Sequence, residues 1–99
     1  MNMQAMMKQA QQMQKDMMKA KDEIDKTEFT GESSLVKVTM NGTKMVQKIE
    51  IDKSDSLDSD DIEMLEDMLV VALNDAMSQV DEMTDKKMGK FGGGMSGLF

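Results

Sequence analysis

The segment Leu35-Val36-Lys37-Val38-Thr39-Met40-Asn41-Gly42-Thr43-Lys44-Met45-Val46-Gln47-Lys48-Ile49-Glu50-Ile51 alternates apolar and polar residues on both sides of an Asn-Gly pair. Alternation with period two is the mark of a strand with one face buried, and Asn-Gly between two such runs signals a two-residue type I′ hairpin, which needs positive φ at both central residues. That turn predicts a register in which Met40 opposes Thr43, Val38 opposes Met45 and Val36 opposes Gln47. Val36, Val38, Met40, Met45, Ile49 and Ile51 then share one apolar face. Lys37, Thr39, Lys44, Val46, Lys48 and Glu50 share the other, a basic and polar face that helices need not cover.

Outward from the hairpin, Thr27 to Glu32 reads as a further strand, so the sheet is expected to be three-stranded and antiparallel. Before it, Met3 to Lys26 contains no glycine or proline and is dominated by helix-favouring Met, Gln, Lys and Ala. Its apolar residues Met3, Met6, Ala10, Met13, Met17, Ala20 and Ile24 repeat at 3,4,3,4 spacing, a narrow seam of coiled-coil type. A helix of this length is roughly 36 Å long, more than one small core can cover, so an end is expected to project or to meet a partner.

After the hairpin, the acidic, serine-rich run from Asp52 to Asp61 reads as a loop into a helix, with Ser59 or Asp60 as cap and Asp60 with Glu63 at capping-box spacing. The helix itself is predicted from about Asp60 to Met88, with Ile62, Leu65, Leu69, Leu73, Ala76, Val80 and Met83 along its main stripe. Its centre, Met68-Leu69-Val70-Val71-Ala72-Leu73, is apolar all round and needs cover from more than one side. A second subunit is the expected source. Residues 89–99, with five glycines, are expected to be a flexible tail after a single domain spanning 1–88. The fold class is therefore α+β: long helix, three-stranded antiparallel sheet, long helix.

Composition narrows function. The chain has no Cys and no His, which removes disulfides, thiolate nucleophiles, the commonest metal ligand and the usual neutral-pH base. Neither an enzyme nor a cofactor or metal site is expected. No run of roughly 18 apolar residues and no signal-like amino terminus is present, so a cytoplasmic protein is expected. Arg, Tyr, Trp and Pro are missing too, so every cationic contact falls to lysine, which disfavours base-specific readout. The formal charge is −7, unevenly spread: residues 1–53 hold nine lysines against eight acids, residues 54–99 three against eleven. Any surface for a polyanion belongs to the amino-terminal half.

The runs Met7 to Gln14 (MKQAQQMQ), Thr30-Gly31-Glu32-Ser33 followed by Leu35 to Gly42, Ile49-Glu50-Ile51-Asp52, Glu63 to Asp67 and Leu73 to Ala76 resemble, in order and spacing, the YbaB/EbfC nucleoid-associated proteins. The resemblance covers nearly the whole chain, including the Gly- and Met-rich tail. Family members often carry extra small residues between GES and LVKV, where Ser34 alone stands here, tightening that connection. The resemblance implies an intertwined homodimer whose sheets and carboxy-terminal helices form the interface while the amino-terminal helices project like tweezer arms. It also implies binding to double-stranded DNA, a change in DNA conformation, and roles in nucleoid organisation and gene regulation. Neither a membrane nor a small-molecule substrate is implied.

On this reading Lys8, Lys15, Lys19, Lys21 and Lys26 meet phosphate oxygens, which fixes position without reading sequence, and Gln12 adds a hydrogen bond. The competing reading is an ordinary solvated helix face. Met68, Leu69, Val70, Val71, Leu73 and Met77 are the candidate dimer interface. Lys37, Lys44 and Lys48 form a second candidate basic patch, or merely keep a sheet face wet. Asp55, Asp58, Asp60 and Asp61 lack the spacing and the glycine of an EF-hand and read as helix capping. The methionines at seam positions read first as packing residues, and a thioether copper site is not required to explain them. Two functions follow: a DNA-binding nucleoid protein, or a protein-interaction module that grips a partner with Met-rich helices.

Overall fold

The computed structural model describes residues 2–52 and 57–91. The order is α1 (Met3–Lys26), β1 (Glu28–Ser33), β2 (Val36–Asn41), β3 (Val46–Ile51) and α2 (Ile62–Met88). A short 3-10 turn, Ser59–Asp61, precedes α2, and another, Gly89–Phe91, follows it. The strands form one antiparallel sheet in the order β1-β2-β3.

Helix α1 has the predicted limits because both ends are capped. The Asn2 carboxamide accepts from the backbone N–H groups of Gln4 and Ala5, and Thr27 closes the far end through its N–H to the Ile24 carbonyl and its hydroxyl to Glu23. The second helix is entered differently from the expectation. Asp58, not Ser59 or Asp60, is the cap of the 3-10 turn, and its carboxylate accepts from Asp60 N–H while Asp61 answers to Asp58 N–H. The reciprocal box sits two residues earlier than predicted, and α2 starts at Ile62.

The hairpin register also differs. Val36 pairs with Ile51, Lys37 with Glu50, Val38 with Ile49 and Thr39 with Lys48, four residues beyond the predicted alignment. Met40 opposes Val46, leaving Gln47 as the extra residue of a bulge. Asn41 is not the first centre of a type I′ turn. It opens a three-residue loop: Lys44 N–H donates to the Asn41 carbonyl, Asn41 N–H to the Met45 carbonyl, and Lys44, at φ 65°, takes the left-handed position. The Asn41 side chain holds the loop by accepting from the N–H groups of Thr43 and Met45 and from the Thr43 hydroxyl. The tight two-residue turn lies instead at Ser34-Leu35, with Ser34 at φ 49°.

A shift of four residues is even, so the face assignment of the central strand survives. Val36, Val38 and Met40 are buried with Phe29, Ala72, Ala76 and Val80 in the main core. Met45 leaves the core face for the loop, and the bulge brings Val46 opposite Met40 in its place. The other face is mixed rather than basic: β1 places exposed Glu28 and Glu32 in register with β2, and Glu50 joins Lys37 and Lys48 there. Lys44 belongs to the loop and turns to α2, where it pairs with Asp81.

Helix α2 packs on β1 and β2 and leaves β3 almost untouched. The contact is close because Gly31 faces Ala72 and Ala76. A Cβ at Gly31 would lie 2.1 Å from the Ala72 carbonyl oxygen, so only glycine opposite alanine permits this approach. Two α2 side chains also satisfy β1 backbone groups, Asp75 accepting from Glu32 N–H and Gln79 donating to the Thr30 carbonyl. That covers one sheet edge.

Candidate nucleic-acid interface

Only the carboxy-terminal end of α1 is seated. Ala20 and Ile24 are buried with Met88 of α2, while Met17, Met83 and Phe91 pack partly against them. Every residue from Asn2 to Asp16 is exposed. About 14 residues of helix therefore project, roughly 21 Å, and the described chain reaches 71 × 20 × 14 Å.

The structure sorts the five candidate lysines of this arm into two groups. Lys21 lies 3.1 Å from Asp25 and Lys26 lies 2.9 Å from Asp22, each an exposed pair one helical turn apart. Asp22, through its hydrogen bond and then its charge, raises the Lys26 pKa above the usual lysine value. Lys8, Lys15 and Lys19 form no ion pair within 4 Å among the described residues. At 100° per residue these three share the face opposite the methionine seam, spread along roughly 16 Å of helix axis. Residues 2–15 contain no carboxylate at all. Gln12, the other candidate, donates to Asp16 at 3.0 Å and so is engaged within the helix.

A basic contribution that the sequence reading missed comes from the end of α2. Lys87 spans to Glu23 of α1 at 3.0 Å and ties the two helices together. The Glu23 pKa is lowered, chiefly by this hydrogen bond, then by the Lys87 charge, with Lys19 and Lys90 adding to it against a small opposing effect of burial. Lys19, Lys87 and Lys90 thus converge at the root of the arm. The signal in the sequence was the run Lys86-Lys87 and Lys90 closing an otherwise acidic helix.

The second candidate patch does not persist as free charge. Lys37 pairs with Glu32 at 3.7 Å, Lys44 with Asp81 at 2.8 Å and Lys48 with Glu50 at 3.4 Å. The candidate interface residues divide as well. Met68, Leu69, Leu73 and Met77 are half-buried against the core, whereas Val70 and Val71 point to solvent, 57% and 54% exposed. On the sheet, Val46, Ile49 and Ile51 of β3 are 45%, 47% and 40% exposed. Asp55 of the acidic run and the tail from residue 92 lie outside the described residues.

A DNA-binding family model matches residues 1–95 of the chain, that of the YbaB/EbfC DNA-binding family. The chain belongs to that family. It is 51% identical over 96 residues to a nucleoid-associated protein of Streptococcus thermophilus, covering 94% of this chain and 95% of that one. A nucleoid-associated protein of Lactococcus lactis is 45% identical over 97 residues, covering 96% and 97%. In three dimensions the chain is similar to an uncharacterized protein of Helicobacter pylori, with a TM-score of 0.70 at 24% identity over 93% of this chain and 99% of the other. That likeness speaks for the fold. The α1, sheet and α2 arrangement is thus shared with that structure, and no helix among the described residues is long and apolar enough to cross a membrane.

Proposed function

We propose that this YbaB/EbfC family member acts as a homodimer that holds double-stranded DNA with low sequence specificity, through phosphate contacts from Lys8, Lys15 and Lys19 on each projecting α1. The observation that carries the reading is the arm itself: an exposed, carboxylate-free stretch of helix that holds Lys8 and Lys15, followed by Lys19, with none of the three in an ion pair among the described residues, on a chain of net charge −7. Phosphate contacts made by lysine position a protein without reading bases, and the absence of Arg removes the usual bidentate reader of guanine. Two arms on one dimer would engage a duplex at two places and constrain its path, which gives a role in nucleoid organisation and in gene regulation. The site of action is the nucleoid, in the cytoplasm.

Dimerisation supports the reading because the single chain leaves apolar surface uncovered on two elements, β3 and the middle of α2. The test is a substitution series read by duplex binding. Changing Lys8, Lys15 and Lys19 together to Gln is expected to weaken binding severely, while changing Lys21 and Lys26 to Gln has a smaller effect. Equal effects of the two sets would remove the sorting of paired from unpaired lysines.

A second reading rests on the opposite face of the same arm. Met3, Met6, Met7 and Met13 are all at least half exposed or nearly so, and a shallow apolar groove of about 330 Å³ runs from Met7 to Met17. A Met-lined groove suits a helical partner protein. Pull-down from nuclease-treated lysate, set beside a gel shift with purified protein, separates the two.

A further inference from the structure

The Asn41-Gly42 pair is not used as a type I′ turn, so its glycine needs another explanation. Gly42 is not in the left-handed region; Lys44 is. What Gly42 does is meet the end of α1. Its N–H donates to the Asp25 carbonyl at 3.3 Å, and a Cβ built on it would lie 1.9 Å from the Ile24 carbonyl oxygen, 2.4 Å from the Ile24 carbonyl carbon and 2.9 Å from the Asp25 Cα. All three are backbone atoms, which cannot swing aside as a side chain would. The loop that carries Gly42 is itself fixed, by the Asn41 carboxamide within and by the Lys44–Asp81 pair to α2 at 2.8 Å.

We propose that the β2–β3 loop is the seat that sets the direction of the α1 arm, with Gly42 as its positioning residue. The proposal rests on the reading that the arm is the DNA-binding element, and gives that element its geometry. The arm is held at three places: Gly42 against Ile24 and Asp25, Lys87 on Glu23, and the buried Ala20, Ile24 and Met88 contact. Met17 packs partly on the last of these, and beyond it nothing among the described residues steadies the arm. Its direction is therefore decided over its last three turns, with Ala20 the outermost buried residue, and an error there is magnified along the free length. Restoring ordinary contact at Gly42 after adding a methyl group moves the Ile24 turn by roughly 1.5 Å. With Ala20 as fulcrum, about 6 Å away along the axis, that is a tilt of roughly 14°, which displaces the helix near Gln4 by about 6 Å.

The chain has no cysteine, so Cys introduced at the exposed positions Gln4 and Glu82 takes spin labels cleanly. In full-length protein diluted with unlabelled chain, electron double resonance reads the distance from arm to body. Gly42→Ala is expected to shift or broaden that distance by roughly 5 Å while far-UV circular dichroism is retained, and to lower duplex affinity. Asp81→Asn, which frees the loop from α2 without touching the turn, is expected to broaden it too, and decides the matter if Gly42→Ala does not fold. Distances unchanged in the folded variants overturn the seat. Distances that move with no loss of duplex affinity overturn the link from arm direction to grip. An unmodified chain that fails to bind duplex removes the DNA reading, while the distances still decide the seat.

Discussion

On the proposed homodimer, replacing Ile49 by Glu is expected to separate the pair into folded single chains. Ile49 lies on β3 opposite Val38, on the core side of the sheet, yet it is 47% exposed because α2 stops at β2. Covering the remaining half of a Val or Ile side chain is worth about 1 kcal/mol. Val46, Ile49, Ile51, Val70 and Val71 on both chains then give about 10 kcal/mol. Association itself costs about 4–15 kcal/mol, so the dimer depends on covering most of this surface. A glutamate removes one such contribution and places an unpaired carboxylate at the junction, at about 3 kcal/mol or more in each copy. Two copies amount to about 6 kcal/mol, or roughly 10⁴-fold in the dissociation constant. The folded single chain hardly notices, since position 49 faces water there. Sedimentation velocity across a range of concentrations is the assay: the parent should sediment as a pair of 11.1 kDa chains and the variant as one, with unchanged circular dichroism. A variant that sediments with the parent refutes the assignment of β3 to the interface.

Two further outcomes follow from close contacts within the chain. Gly31→Ala is expected to destabilise by about 1–3 kcal/mol, because its Cβ meets the α2 backbone at Ala72 and Ala76; a melting temperature lowered by less than about 4 °C would contradict so tight a sheet-to-helix approach. The Glu23–Lys87 clasp sets an acid limit. Glu23 has its pKa lowered in the folded chain, so its stabilisation is present above the unfolded value, about 4.3, and is lost as pH falls through the folded value. Thermal melts of the parent and of Glu23→Gln should differ at neutral pH and converge below that range; a gap that persists in acid would show that the clasp does not act through charge.

How much of this was legible varied with whether local chemistry or tertiary contact decided the matter. The limits of α1 could be read because Asn2 caps it, no breaker interrupts it and Thr27 ends it. Lys21 with Asp25 and Lys26 with Asp22 were also within reach, being one turn apart on a helix. The register of the hairpin was not. Asn-Gly is a strong turn signal, but here the glycine answers to the α1 carbonyls pressed against it, a contact that joins residues far apart in sequence. Ser34-Leu35 carries no glycine and so did not advertise the tighter turn. Ala72 fell off the predicted stripe of α2 for the same kind of reason, since its burial depends on Gly31 opposite. Of the basic site, the arm was visible and the lysines at the end of α2 were not, because only the packing of Met88 on Ile24 brings them to its root.

The salt dependence of duplex affinity for the unmodified protein reads the lysine-to-phosphate contacts themselves. Three unpartnered lysines on each of two arms offer six phosphate contacts, for which log K falls against log salt with a slope of about −5. The substitution of Lys8, Lys15 and Lys19 by Gln should flatten that slope to about −1 or less. Tight binding that ignores salt, or a slope the substitutions leave unchanged, would mean that DNA is held by something other than these helices.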